Sequence, residues 1–176
     1  MATINNIKQK KKKFVLKLLE DKEKQDFVDY LQTIPFYFSE DVLLDEADLK
    51  NFAYNDYNHY VIAKYQNEII GHIAIQYQKY KYGYHQEHIA EIHINVKQEH
   101  QKKGIGKQLM KYCLDYLKTK KEINKIKTKI LENNKIIQQL FSNFKFQQEA
   151  ILKKEWKIII KEKEYYLDGI YMSRFI

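Results

Sequence analysis

The sequence predicts an α/β fold: one domain with a mixed, mostly antiparallel sheet of about seven strands, a central parallel pair, and about four flanking helices. Three observations predict it. Apolar residues recur with a period of two in some runs and near 3.6 in others, so strands and helices are interleaved. One strand feeds a helix and returns as another strand, a crossover that makes those two strands parallel neighbours. The end of the chain reads as one long β-hairpin.

In order, Phe14 to Leu19 reads as a short strand, and Asp21 opens an acidic first turn that suits a helix to about Gln32. Pro35 closes that unit. A second helix is expected from Glu40 to Ala53, with Ser39 offering the N-cap hydroxyl. His59 to Tyr65 and Ile69 to Gln78 are β-rich runs joined by Gln66-Asn67-Glu68, a hairpin spacing. Lys79 to Tyr84 is expected as a loop, with Gly83 at its turn. From His88 to Val96 the residues alternate: His88, Ala90, Ile92, Ile94 and Val96 form a core face, and Ile89, Glu91, His93 and Asn95 a largely polar one. Gly104 to Thr119 carries Ile105, Leu109, Cys113 and Leu117 at fourth-residue spacing, a helical stripe. Lys125 to Ile130 alternates Ile126, Thr128 and Ile130 with lysines, and Asn133 or Asn134 opens a helix to about Asn143. Phe146 to Ile160 and Tyr165 to Phe175 pair as the terminal hairpin, turning near Lys161 to Glu164.

Composition bounds the function classes. With 44% hydrophobic and 14% aromatic residues, the chain belongs with folded globular proteins. The longest apolar run, Ile34 to Phe38, falls far short of the ~20 residues that span a bilayer, so no membrane role is expected. The start is lysine-rich and has no apolar signal core, which points to the cytoplasm. The formal charge of +8 is dispersed apart from the run Lys8 to Lys13, so residues 1 to 13 read as a basic tail preceding a domain from 14 to 176. Nucleic acid is not the expected partner. Cys113 is the sole cysteine and lies on the helical stripe, where a core thiol is expected rather than a nucleophile.

The junction from Val96 to Met110 carries the chemistry. Gly104 and Gly106 let the backbone approach a ligand, and a helix starts there with unpaired N–H groups and the positive end of its dipole, an arrangement that can hold a pyrophosphate. The spacing is neither a P-loop nor a Rossmann fingerprint. The run A-E-I-H-I-N-V-K-Q-E-H-Q-K-K-G-I-G-K-Q-L-M, residues 90 to 110, resembles the acetyl-CoA motif of GNAT acetyltransferases, whose core is [RQ]-x-x-G-x-[GA]. Gln101, Gly104 and Gly106 occupy its defining positions. The resemblance continues over Asn134 to Phe146, similar to N-x-x-A-x-x-L-Y-x-x-x-G-F, and through Tyr166-Leu167-Asp168-Gly169-Ile170-Tyr171-Met172, so it covers essentially the whole chain.

That resemblance implies a GNAT-like fold, acetyl-CoA as cosubstrate, and a primary amine of a small molecule as acceptor. It implies that the main chain of Gln101, Lys102, Lys103, Gly104, Ile105 and Gly106 binds the pyrophosphate, with charge from Lys102, Lys103 and Lys107 beside it. Asn134 matches the asparagine that contacts the pantetheine arm, and also suits a helix N-cap. The main chain of Ile94, Asn95 and Val96 would bond the pantetheine. Three positions depart from the pattern. Ile137 replaces an alanine, Phe141 stands at the cofactor-contacting tyrosine expected to protonate the departing thiolate, and Lys145 replaces the helix-ending glycine, implying a different cap or αL strain.

Acetyl transfer needs an uncharged amine, so a base must take its proton near neutral pH. Glu91 and His93, on the polar face of the strand entering the loop, are the catalytic candidates. No metal is expected: His85, His88 and His93 with Glu87 and Glu91 are spaced so that strand residues fall on opposite faces. The acids of residues 40 to 48 could attract a cationic amine, or simply form a solvated helix face. The alternative readings are a protein or peptide Nα-acetyltransferase and a non-catalytic acyl-CoA-binding module; a homodimer is left open.

Overall fold

The computed structural model describes residues 14–34, 46–78, 80–81 and 84–176. Strand β1 (Val15–Leu18) precedes a 3-10 turn (Asp21–Glu23), helix α1 (Lys24–Gln32) and helix α2 (Glu46–Ala53). Strands β2 (Asn58–Tyr65), β3 (Glu68–Tyr77), β4 (Tyr80–Lys81), β5 (Tyr84–His85) and β6 (Ile89–Val96) follow. Helix α3 (Ile105–Lys118), strand β7 (Lys125–Leu131), helix α4 (Lys135–Asn143) and strands β8 (Gln147–Ile160) and β9 (Lys163–Phe175) complete the chain.

Seven strands form one sheet in the order β1-β2-β3-β6-β7-β9-β8, and every neighbouring pair is antiparallel except β6 with β7. The expected fold class is therefore the observed one. Two apolar clusters hold the layers together. On one face α3, through Ile105, Leu109, Cys113 and Leu117, and α4, through Phe141, pack on Val61, Ala63, Ile73, Ile75, Ile92 and Ile126. On the other, Phe27 and Leu31 of α1 and Leu49 of α2 cover Tyr60, Ile62 and Ala74. Burying each such aliphatic side chain contributes about 1.5–3 kcal/mol.

Several boundaries shifted for local reasons. Between β2 and β3 the turn is only two residues, Gln66 (φ 50°) and Asn67 (φ 68°), the left-handed pair that matches strand twist, so Glu68 belongs to β3. The terminal hairpin turns likewise on Lys161 (φ 49°) and Glu162 (φ 61°). Tyr80–Lys81 and Tyr84–His85 pair as a small second sheet where a plain loop was expected. The expected Gly83 turn, Pro35, Ser39 and the start of the second helix lie outside the described residues.

Lys145 takes the left-handed conformation that its place in the pattern called for, at φ 65°. The Lys145 N–H donates to the Ser142 carbonyl at 2.9 Å and the Phe146 N–H to the Phe141 carbonyl at 3.1 Å, the bond pair of a Schellman cap. The ring of Phe146 then meets Phe141 edge-on, centroids 4.9 Å apart. Asp168 holds another irregularity. Its carboxylate accepts from the Lys154 N–H at 2.9 Å, next to the register shift in β8, and pairs with Lys153 at 2.6 Å.

Candidate active site

The parallel ladder between β6 and β7 runs only through Ile89↔Lys125, Ala90↔Ile126 and Glu91↔Lys127. Past that rung β6 continues through Ile92–Val96 and β7 through Thr128–Leu131 without pairing to each other, so the sheet opens at its centre. Alternation sends Ile92 and Ile94 to the α3 side of this opening, and Glu91, His93 and Asn95 to the α1 side. Ala90 and Ile92 are fully buried, as the expected core face requires.

On the α3 side three of the expected segments converge. A Cβ placed on Gly106 would meet Ile94 Cδ1 and Leu140 Cδ2, both at 3.6 Å, so the helix start, β6 and α4 come together there. The Gln101 amide donates to the Val96 carbonyl at 3.0 Å and ties the loop to the end of β6. Lys102 (φ 58°) and Gly104 (φ 80°) are both left-handed, a geometry in which successive N–H groups turn to one side. The first helical bond is Gln108 N–H to Gly104 C=O at 3.2 Å. Among the described residues, none of the main-chain N–H groups of Lys102 to Lys107 finds a protein acceptor. Lys102, Lys103 and Lys107 are exposed around them, with the Lys103 ammonium donating to the Glu99 carbonyl. Ile105 is buried and anchors the turn. Orphaned donors beside exposed lysines fit a pyrophosphate.

Asn134 is the N-cap of α4, its side chain accepting from the Ile137 N–H at 3.2 Å. Phe141, the expected cofactor contact, faces the core. It is 1% exposed and packs in the core against Phe146, because the Schellman cap pulls these two positions together.

On the α1 side Glu91 Oε1 lies 3.2 Å from His93 Nε2, and Glu91 Oε2 lies 3.2 Å from Lys127 Nζ. The His93 ring and then, beyond the opposing cost of burial, the Lys127 charge hold the Glu91 carboxyl at about 2, so it is ionised throughout the neutral range. A carboxylate held that low is a poor proton acceptor, whereas it can orient and support an imidazolium. His93 is the more accessible partner, its side chain 43% exposed against 18% for Glu91. His72 on β3 is buried, its Nδ1 3.1 Å from the Tyr30 hydroxyl, and burial drives its pKa down to about 3. A cavity of about 130 Å³ lies between Thr33 and Ile34 after α1 and Asn95 to Glu99 at the end of β6 and just beyond it.

Three groups here escaped sequence reasoning. Lys127 looked like any lysine on the outward positions of a strand, since only the β6–β7 register places it against Glu91. His72 and Tyr30 lie 42 residues apart and meet only through packing. Cys113 is buried, with burial pushing its thiol up, which agrees with a core role. His85 pairs with Glu87 at 3.7 Å, separately from the Glu91–His93 pair.

A profile of the acetyltransferase (GNAT) family matches residues 20–146. Comparison with curated proteins yields no match. Among solved structures, an acetyltransferase of the GNAT family from Streptococcus pneumoniae superposes with TM-score 0.76 at 17% identity, over 93% of this chain and 100% of that one. The ribosomal-protein-S18-alanine N-acetyltransferase from Escherichia coli gives 0.72 at 13% identity, over 93% and 94% of the two chains. The yncA protein from Salmonella typhimurium, solved with its cofactor acetyl-CoA, gives 0.70 at 14% identity, over 92% and 93%. At such identities the likeness is one of fold.

Proposed function

The chain belongs to the acetyltransferase (GNAT) family, and on that premise we propose that it acetylates a primary amine of a small molecule by direct attack in a ternary complex. The coarse activity, acetyl-CoA-dependent transfer to an amine, follows from the family. One observation supports the reading: the sheet opens at its centre, with the Gly106 helix start on the α3 side and the Glu91–His93 pair on the α1 side. Donor and acceptor can thus approach the opening from opposite faces.

The N–H groups of Lys102 to Gly106 would hold the pyrophosphate, helped by Lys102, Lys103 and Lys107. Main-chain groups of Ile94 to Val96 that face the unpaired edge would hold the pantetheine, and Asn134 stands at the far wall on α4. Acetyl-CoA supplies an acetyl carbon that bonds to the acceptor nitrogen as the carbon–sulfur bond breaks and the electron pair leaves with sulfur. His93 is the base. With Nε2–H directed to Glu91, Nδ1 is the acceptor for the ammonium proton, and the Glu91 carboxylate steadies the imidazolium that results. Phe141 offers no proton, so the thiolate takes one from water or leaves as the anion.

A CoA-release screen across amino acids, polyamines, aminoglycosides and N-terminal peptides tests the reading. Turnover with a small amine that is lost in His93→Ala supports it. Turnover confined to peptides makes the chain an Nα-acetyltransferase, and acetyl-CoA binding with no turnover on any amine leaves an acyl-CoA-binding module.

A further inference from the structure

Glu91 directs its two oxygens to different strands: Oε1 to His93 on its own strand, Oε2 to Lys127 on β7. Exposure rises along the row, from 15% for the Lys127 side chain to 18% for Glu91 and 43% for His93. The row therefore starts where the two strands part and ends at the surface an acceptor reaches. Lys127 is backed by β9, its Nζ 5.8 Å from the centre of the Tyr171 ring. Burial works against its charge, but the Tyr171 hydroxyl and Glu91 outweigh burial and raise its pKa, so it is an ammonium at neutral pH.

From this arrangement we propose that Lys127 is a positioning residue for acetyl transfer: by holding the second oxygen of Glu91 it fixes that carboxylate against His93 and offsets part of the negative charge the imidazole feels. The inference rests on His93 as the base. A carboxylate beside a histidine favours the imidazolium, and an imidazolium cannot accept the acceptor's proton. A cation on the same carboxylate moderates that effect while keeping the carboxylate in place. The neighbouring groups do not replace it. His72 on β3 is buried and neutral and bonded to Tyr30 on α1, and on the Lys127 side Tyr171 is a phenol and Lys129 is engaged by Glu155.

The experiment follows the His93 imidazole by NMR in full-length protein with labelled histidine, alongside the pH profile of kcat/KM on the amine found by the screen. In Lys127→Met the pH response of the His93 signal and the acid limb should both move to higher pH, lowering kcat/KM about tenfold on that limb. The alkaline plateau should fall less than the acid limb, and Lys127→Arg should restore the wild-type profile. Should Lys127→Met not fold, Lys127→Gln makes the same test. An unmoved His93 response, or a loss equal at every pH, overturns the role of Lys127 while leaving His93 as base. A shifted response in an enzyme whose His93→Ala variant keeps full activity and its acid limb overturns the base assignment, and with it the role of Lys127 in the transfer.

Discussion

Glu91 and Lys127 form the last rung that β6 and β7 share, and their side chains meet across it, Oε2 to Nζ at 3.2 Å. Where the main-chain ladder ends, a side-chain pair continues it by one contact. The opening beyond belongs to neither strand, so a carboxylate fixed at its edge faces whatever enters from the α1 side. The candidate chemistry depends on that rung.

Removing His93 should separate catalysis from cofactor binding. His93→Ala is expected to lower kcat by about 10²–10⁴ while acetyl-CoA affinity, measured calorimetrically, changes less than about twofold. Glu91→Gln keeps the shape but loses the charge that supports the imidazolium, so it should also lose activity. Undiminished turnover in His93→Ala would place the base elsewhere.

The two glycines of the loop should fail differently. Gly104 is left-handed with nothing near a would-be Cβ, so Gly104→Ala meets a backbone cost of about 1 kcal/mol and shows it as reduced thermal stability. Gly106 has ordinary helical backbone and room for a Cβ, so Gly106→Ala should weaken acetyl-CoA binding by narrowing the approach to the helix start while altering stability little. Equal behaviour of the two variants in both measurements would refute this division of labour.

Lys145 is a non-glycine residue in the C′ position of a Schellman cap, at φ 65°. Relieving that conformation outweighs the added freedom of the unfolded chain, so Lys145→Gly should stabilise the protein by about 0.5–1 kcal/mol. Urea denaturation measures it; a loss of stability would mean that the lysine side chain contributes contacts of its own.

His72 links stability to pH. Its folded pKa is about 3 against an ordinary 6.5, so between those values the unfolded chain binds a proton that the folded one does not. Stability attributable to this site is full above about 6.5 and falls as the pH drops toward 3, by up to about 1.4 kcal/mol per pH unit. His72→Leu should flatten this part of the pH dependence even if it lowers stability overall, since Tyr30 loses its partner. An unchanged slope in urea titrations from pH 7 to about 4 would exclude His72 as its source.

Much of the architecture was legible because periodicity is a local property. The alternation of Ala90 and Ile92 with Glu91 and His93, the Ile105–Leu109–Cys113–Leu117 stripe, and the Asn134 cap each depend on neighbours within a few residues. The Gln66–Asn67 turn shifted by one position, because turn type rather than residue preference decides where the strand resumes.

The surroundings of Phe141 were not legible in the sequence: Lys145 and Phe146 close the helix over it, and that cap depends on a left-handed residue where the pattern has glycine.

The linear chain is thus enough to specify which elements form, which faces are apolar, and that Gly104 and Gly106 open a helix suited to an anion. The rung that ends the β6–β7 ladder, the Lys127–Glu91–His93 row and the buried His72–Tyr30 pair came from folding alone. The reason is physical: each joins residues distant in sequence, and their approach depends on strand register and layer packing, which no local preference encodes.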